Sequence, residues 1–279
     1  MTHQASFIKT LDGVKLFSQV WMPQSEPSCV ICLVHGIGEH SSRYDAWAKR
    51  FADENVAVVA FDQRGHGESG GVRGQIPSYN TLLDDIDLIL HDCEKSFPEV
   101  PVVLYGHSLG GGEVLNHLLF KENKYKAVIA TSPWLISQQS PPKFLMPLIH
   151  LLEIGFPNLC LKTKLNADLL SRDNKVVDNY KNDKLVHAWV SVRLFYQAYI
   201  AGYNALAHAS LINKPLLLLH GSADQITSAE VSQQFVENAG KLCQFHVFQN
   251  AFHELHNDSC KDEVFDIILN WIQTKLINS

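Results

Sequence analysis

Val102-Val103-Leu104-Tyr105-Gly106-His107-Ser108-Leu109-Gly110-Gly111 is the stretch that decides how this chain folds. A short apolar run stops at a glycine and gives way to helically spaced apolar residues at Val114, Leu115, Leu118 and Leu119. The pattern predicts a buried strand, a sharp turn and a helix, with Ser108 on the turn. Gly-x-Ser-x-Gly alone is weak, because glycine and serine crowd ordinary loops. Between a strand and a helix it is the arrangement that lifts a serine hydroxyl above a sheet edge. The serine then needs a strained backbone, and only glycine-sized residues fit two positions before and after it. The next N–H falls at a helix start, where it can meet an anion.

Outward from this turn, buried-strand character recurs at 29–34, 56–61, 127–131, 216–219 and 244–248. Two earlier strands, 6–10 and 15–21, are joined across Asp12-Gly13, a hairpin signal. Helical patterns lie between them. Leu82, Leu83, Ile86, Ile89, Leu90, Cys93 and Phe97 trace one face, and Val264, Phe265, Ile268, Trp271 and Ile272 trace another. Strands alternating with helices predict an α/β fold with about eight mostly parallel strands, flanked by helices on both faces. The rhythm breaks between residues 133 and 197, where no buried strand is expected. Residues 134–197 read as an inserted helical cap, with 1–133 and 198–279 forming the core. Within the cap, residues 144–156 are apolar around nearly the whole helical circumference. They are expected to pack inward and line an apolar tunnel, with an outer rim able to touch a membrane surface transiently.

The 279 residues are 46% hydrophobic, enough for a substantial core around one sheet. A net charge of −6 without a Lys/Arg block offers nothing to nucleic acid or to an anionic membrane. The polar first 13 residues predict no signal peptide, and no apolar stretch approaches the ~20 residues of a membrane span. Six cysteines lack framework spacing. Cys29 and Cys32 form C-x-x-C, but on a strand they point to opposite faces and cannot share a metal or a disulfide. Buried thiols in a reducing, cytoplasmic setting follow. The sequence sets no oligomeric state.

Serine needs a base, and the base needs an orienting acid. On such a sheet the chain order is serine, acid, histidine. Asp224 in His220-Gly221-Ser222-Ala223-Asp224 follows a late strand, and His253 in Asn250-Ala251-Phe252-His253-Glu254-Leu255-His256 lies between the last strand and the last helix. An aspartate after Gly-Ser is often only an Asx turn, so the ordered conjunction with Ser108 carries the assignment. His256 competes for the role of base, and His246, within a strand pattern, competes more distantly. The oxyanion donors are expected from Leu109 N–H and from Ile37 N–H in the glycine-rich loop His35-Gly36-Ile37-Gly38. Arg64-Gly65-His66-Gly67 lacks the phosphate-loop lysine and reads as a structural turn. His253-x-x-His256 is the best local metal pair and lacks a third ligand, so neither metal nor cofactor is expected.

His35-Gly36-Ile37-Gly38-Glu39-His40-Ser41-Ser42-Arg43-Tyr44, Phe61-Asp62-Gln63-Arg64-Gly65-His66-Gly67-Glu68-Ser69, the serine motif and Phe252-His253-Glu254-Leu255-His256 together resemble the monoacylglycerol lipase family of α/β-hydrolases. Ser171-Arg172-Asp173 and Tyr180-Lys181-Asn182-Asp183 also resemble that family's cap-to-core segment. The resemblance implies an acyl-enzyme hydrolase of single-chain lipid esters such as monoacylglycerol. It places the alcohol half among Glu39, Arg43, His107, Tyr180 and His256. On chemical grounds Glu39 and Arg43 can equally pair with each other. Leu109 stands where methionine is common, Ile37 is bulkier than usual, and Lys184 replaces a proline. These departures bear on substrate preference. A lysophospholipase or broad carboxylesterase is the alternative enzyme, and a low-turnover small-molecule receptor on the same fold is the alternative class.

Overall fold

Strands that are apolar at every position are stable only where both sheet faces are covered, and this fixes the layers. The computed structural model describes residues 1–122, 124–163 and 165–277. The strands are β1 (Thr2–Lys9), β2 (Lys15–Met22), β3 (Cys29–Val34), β4 (Val56–Phe61), β5 (Val102–His107), β6 (Ala127–Thr131), β7 (Cys160–Lys162), β8 (Trp189–Ser191), β9 (Leu216–Gly221) and β10 (Cys243–Phe248). The α-helices are α1 (Asp45–Asp53), α2 (Tyr79–Ser96), α3 (Leu109–Phe120), α4 (Met146–Gly155), α5 (Asn174–Asn182), α6 (Val192–His208), α7 (Ala229–Ala239) and α8 (Lys261–Ile272). Eight strands form one sheet in the order β1-β2-β4-β3-β5-β6-β9-β10. The β1–β2 and β2–β4 pairs are antiparallel and all later pairs are parallel. The first strand starts earlier than its apolar pattern suggests, because its pairing runs from Thr2↔Met22 to Lys9↔Lys15 across a turn with Gly13 at φ 87°.

Each sheet face buries its own core. Val30, Cys32 and Val34 pack with α2, α3, α6 and α7, whereas Cys29, Ile31 and Leu33 pack with α1 and α8. The two cysteines of C-x-x-C therefore lie on opposite faces. All five apolar positions expected on α8 are buried. The parallel strands β3, β4, β5, β6, β9 and β10 all point the same way, so the loops after their C-terminal ends gather at one edge.

The stretch between β6 and β9 departs from expectation in three ways. Residues 160–162 and 189–191 form the short antiparallel pair β7–β8 where no strand was predicted. Three-residue strands with Leu161 and Trp189 exposed leave no apolar pattern to read. Position 197 falls inside α6, whose Leu194, Ala198, Ala201 and Ala205 are buried in the core beside α3. And α4 turns outward: Phe144, Leu148, Leu151, Ile154 and Phe156 are between 55% and 79% exposed, and only Met146 of α4 is buried. No helix among the described residues is long and apolar enough to cross a membrane.

One buried group strains this core. Glu113 on α3 is fully buried, and neither carboxyl oxygen has a hydrogen-bond partner among the described residues. Burial, with a contribution from Asp85, pushes its pKa well above the ordinary range, so the folded chain holds a proton that the unfolded chain releases. Stability therefore falls as pH rises above the ordinary glutamate value near ~4.3. Replacing the acid removes both the unpaired polar group and this slope. Glu113→Met is expected to raise unfolding free energy at pH 7 by about 1–3 kcal/mol. Urea denaturation at pH 5 and pH 8 should show a smaller pH dependence than the parent chain.

Candidate active site

Ser108 sits on a backbone no ordinary turn supplies, at φ 54° and ψ −115° between β5 and α3. A Cβ at Gly106 would lie 2.2 Å from the Gly110 carbonyl oxygen, and one at Gly110 would lie 2.3 Å from that of Val34. Both positions must be glycine for the serine to stand there. Ser108 N–H donates to Thr131 O at 3.0 Å, and its carbonyl accepts from Trp134 N–H at 2.7 Å, so the turn is pinned to the end of β6.

Three loops bring the polar residues together. Ser108 Oγ lies 2.9 Å from His253 Nε2, and His253 Nδ1 lies 2.7 Å from Asp224 Oδ2. The carboxylate accepts at Nδ1–H, which leaves the Nε2 lone pair facing the hydroxyl. Asp224 is held by Ile226 N–H, Thr227 N–H, the Thr227 hydroxyl and His220 Nε2. Burial opposes its charge, but His253 and these donors win and hold the carboxyl well below its usual range. Burial likewise opposes charge on His253, and Asp224 overcomes it, so the imidazole titrates above its ordinary value. The loop of His253 is fixed by Ser132 Oγ, which donates to His253 O at 2.8 Å, and by Glu254 N–H, which donates to Leu170 O at 2.8 Å. Arg172 of the Ser-Arg-Asp segment binds Asp258 beside the same loop.

Opposite the histidine, the loop after β3 offers Ile37. Among the described residues neither Ile37 N–H nor Leu109 N–H has an acceptor. Gly36 leaves no room for a side chain, since a Cβ would lie 3.1 Å from Ser108 Cβ and 2.8 Å from Glu39 Oε1. The loop is braced by the buried His35, whose Nδ1 meets Gly36 O and whose Nε2 accepts from Gln63 N–H.

The residues expected around the alcohol half divide. Glu39 accepts from Gly36 N–H and the Tyr44 hydroxyl, and it pairs with Arg43, which also grips Glu254 with two hydrogen bonds of 2.7 and 2.8 Å. Arg43 stacks 4.8 Å over the Tyr180 ring. A small lobe of about 30 Å³ is lined by Ser108, Glu39, Arg43, His107, Tyr180 and His253 among others, but not by His256. His256 is buried behind it, stacked 4.5 Å from Tyr44 and edge-on to His107, with neither ring nitrogen hydrogen-bonded among the described residues. Burial pushes its pKa down to about 4 and that of His107 well below the ordinary value. His246 is exposed on the edge strand β10 and lines neither cavity at Ser108.

A larger cavity of about 220 Å³ also opens at Ser108. Ile37, Trp134, Leu165, Val190, Phe195 and Ile226 give it apolar walls, and nothing from 144–156 lines it. The walls come instead from the loops after β3, β6 and β9, from Leu165 after β7, and from β8 and the start of α6, because α4 spends its apolar surface outside. Arg64 is buried against Asp85 and Asp12, a structural turn. Sequence reading missed Ser132, His220, Thr227 and Asp258. Only His220 and Thr227, flanking Asp224, carried a local signal.

The chain is similar to known proteins over nearly its whole length. The family profile described as "Serine aminopeptidase, S33" matches residues 25–260. The monoacylglycerol lipase of Mycolicibacterium smegmatis is 30% identical, with 95% of each chain covered. An uncharacterized abhydrolase domain-containing protein of Dictyostelium discoideum is 35% identical over all of this chain, which spans only 30% of that protein. The crystal structure of Paleococcus ferrophilus monoacylglycerol lipase superposes with a TM-score of 0.85 at 32% identity, covering 93% of this chain and 99% of that one. The chain belongs to the serine aminopeptidase S33 family of α/β-hydrolases, in the company of monoacylglycerol lipases, and is a serine ester hydrolase.

Proposed function

We propose that this protein hydrolyses monoacylglycerol to glycerol and fatty acid, with Ser108 as nucleophile, His253 as base and Asp224 as orienting acid. The observation that carries the reading is the contact of 2.9 Å between Ser108 Oγ and His253 Nε2, where an apolar cavity meets a small lobe lined in part by Glu39, Arg43, His107 and Tyr180. Ser108 Oγ attacks the ester carbonyl carbon while His253 takes its proton. The oxyanion is received by Ile37 and Leu109 N–H, donors worth roughly 3–4 kcal/mol each where measured. Collapse expels glycerol, which takes the proton from His253. Water, deprotonated by the same histidine, then attacks the acyl-enzyme and releases the fatty acid. The acyl chain occupies the apolar cavity, and Glu39, Arg43, His107 and Tyr180 give the alcohol half a polar wall, with His256 behind it. Two curated relatives and a solved neighbour that act on monoacylglycerol by name support this substrate over a lysophospholipid.

Ser108→Ala is expected to lower kcat by roughly five to six orders of magnitude, and His253→Ala by about as much, because such residues act as a unit. His256→Phe should retain turnover far above that floor, since its nitrogens meet neither Ser108 nor Asp224. The measurement is hydrolysis of matched-chain glycerol, lysophospholipid and short alkyl esters. Equal losses at His256 would reassign the base, and a preference for lysophospholipid would reassign the substrate.

The raised imidazole sets the pH dependence. Neutral His253 is the active form, so kcat/KM should fall as pH drops through a value above the ordinary ~6.5. Asp224→Asn removes the stabilising charge and should move that limb to lower pH on a much lower plateau.

Residues 134–191, reaching from β6 to the start of α6, serve in this reading as a lid that meets lipid. Their outward face carries Phe144, Leu148, Leu151, Ile154 and Phe156, too much exposed apolar surface for water alone. Leu148→Asp with Leu151→Asp should reduce co-sedimentation with phosphatidylcholine vesicles and slow hydrolysis of vesicle-borne monoacylglycerol. Turnover of dissolved p-nitrophenyl acetate should be spared. Loss on both substrates alike would instead place α4 in the catalytic fold.

A further inference from the structure

The two halves of the reacting centre come from loops that are distant in sequence, and one side chain touches both. Arg43 Nη1 donates to Glu39, and Nη1 and Nη2 donate to the two oxygens of Glu254. Glu39 Oε1 in turn accepts Gly36 N–H at 2.6 Å, immediately before Ile37. Glu254 immediately follows His253 and also accepts from Asn257 Nδ2 at 2.8 Å. The two carboxylates are 3% and 2% exposed, with a single guanidinium between them. Burial opposes all three charges. Mutual attraction prevails, holding both acids ionised and Arg43 protonated. Without the cation, two buried anions would push the loops apart.

We propose that Arg43 is a positioning residue that sets the distance between the oxyanion donor at Ile37 and the base at His253, acting through Glu39 and Glu254. The inference rests on the serine-hydrolase reading above. It goes beyond lining the alcohol pocket, because three of the five guanidinium N–H groups are directed at the two acids. A misplacement of about 1 Å between reacting groups can cost on the order of 10²-fold in rate, whatever alcohol the ester carries. A lost ligand to glycerol would instead weaken binding of glycerol esters alone.

Arg43→Lys keeps the charge but loses the planar fork that reaches both acids. Its kcat and KM are measured on a monoacylglycerol and on p-nitrophenyl acetate, which has no glycerol. The expected result is a fall in kcat of about 10–100-fold, by the same factor on both esters, with KM within about twofold. A KM rise confined to the glycerol ester, with acetate turnover retained, would overturn the proposal, as would no change in either. If Arg43→Lys loses its near-ultraviolet circular dichroism, Glu254→Gln is read by the same two ratios, since it weakens only the arm to the base. Labelling by a fluorophosphonate keeps the two readings apart. A parent chain unlabelled at Ser108 sinks the serine assignment, whereas a labelled parent with an unmoved kcat in the variant sinks the positioning role alone.

Discussion

The strained backbone of Ser108 is the constraint on which everything else depends. A residue at φ 54° with a side chain persists only where its surroundings over-determine it. Here β5 delivers the chain, α3 takes it away, and two glycines admit carbonyls of neighbouring segments where any Cβ would collide. The hydrogen bonds to Thr131 and from Trp134 fix the turn to β6. The same strain that exposes the hydroxyl points Leu109 N–H along the helix start. The exposed hydroxyl and the Leu109 N–H are therefore a single geometric object, to which the loops of Ile37 and His253 are added from other parts of the chain.

Electrostatics then separates imidazoles that sequence cannot tell apart. His35, His107, His253 and His256 are all buried, and burial disfavours charge on each. Only His253 has a carboxylate at 2.7 Å to reverse the sign. Asp224 can stay ionised there because five donors surround it. One histidine is thus prepared to accept a proton, while its neighbours stay neutral and give the site walls that do not compete for it.

Features that depend on local spacing were legible in the sequence. The turn at Ser108, the hairpin at Asp12-Gly13 and the buried face of α8 each follow from residues within one or two turns of chain. That Ser108, Asp224 and His253 would come together was legible because topology constrains their order along the chain. What escaped depends on contacts between strand ends. Ser132 looks like any loop serine until its hydroxyl meets the carbonyl of His253, 121 positions away. Glu39 and Arg43 read equally as ligands of a polyol or as a pair, and the Glu254 carboxylate that joins the pair shows only in three dimensions. Residues 144–156 failed for a different reason. An apolar helix signals that water is unwelcome, but not whether protein or lipid replaces it.

That failure exposes how differently the two parts of the chain are held. The sheet buries two large cores, whereas among the described residues the insertion has only a small cluster around Ala167, Leu170 and Val177. Polar bolts compensate, and they sit next to the chemistry. His187 N–H donates to Gly38 O beside the oxyanion loop, Ser191 N–H donates to Gly74 O, and Leu170 and Arg172 secure the loop of His253. The insertion is therefore anchored where it touches the reacting groups and lightly packed where α4 faces outward. On its inner side α4 is held to α6, where Glu153 accepts from Arg193 and Gln197 and His150 stacks on Tyr196.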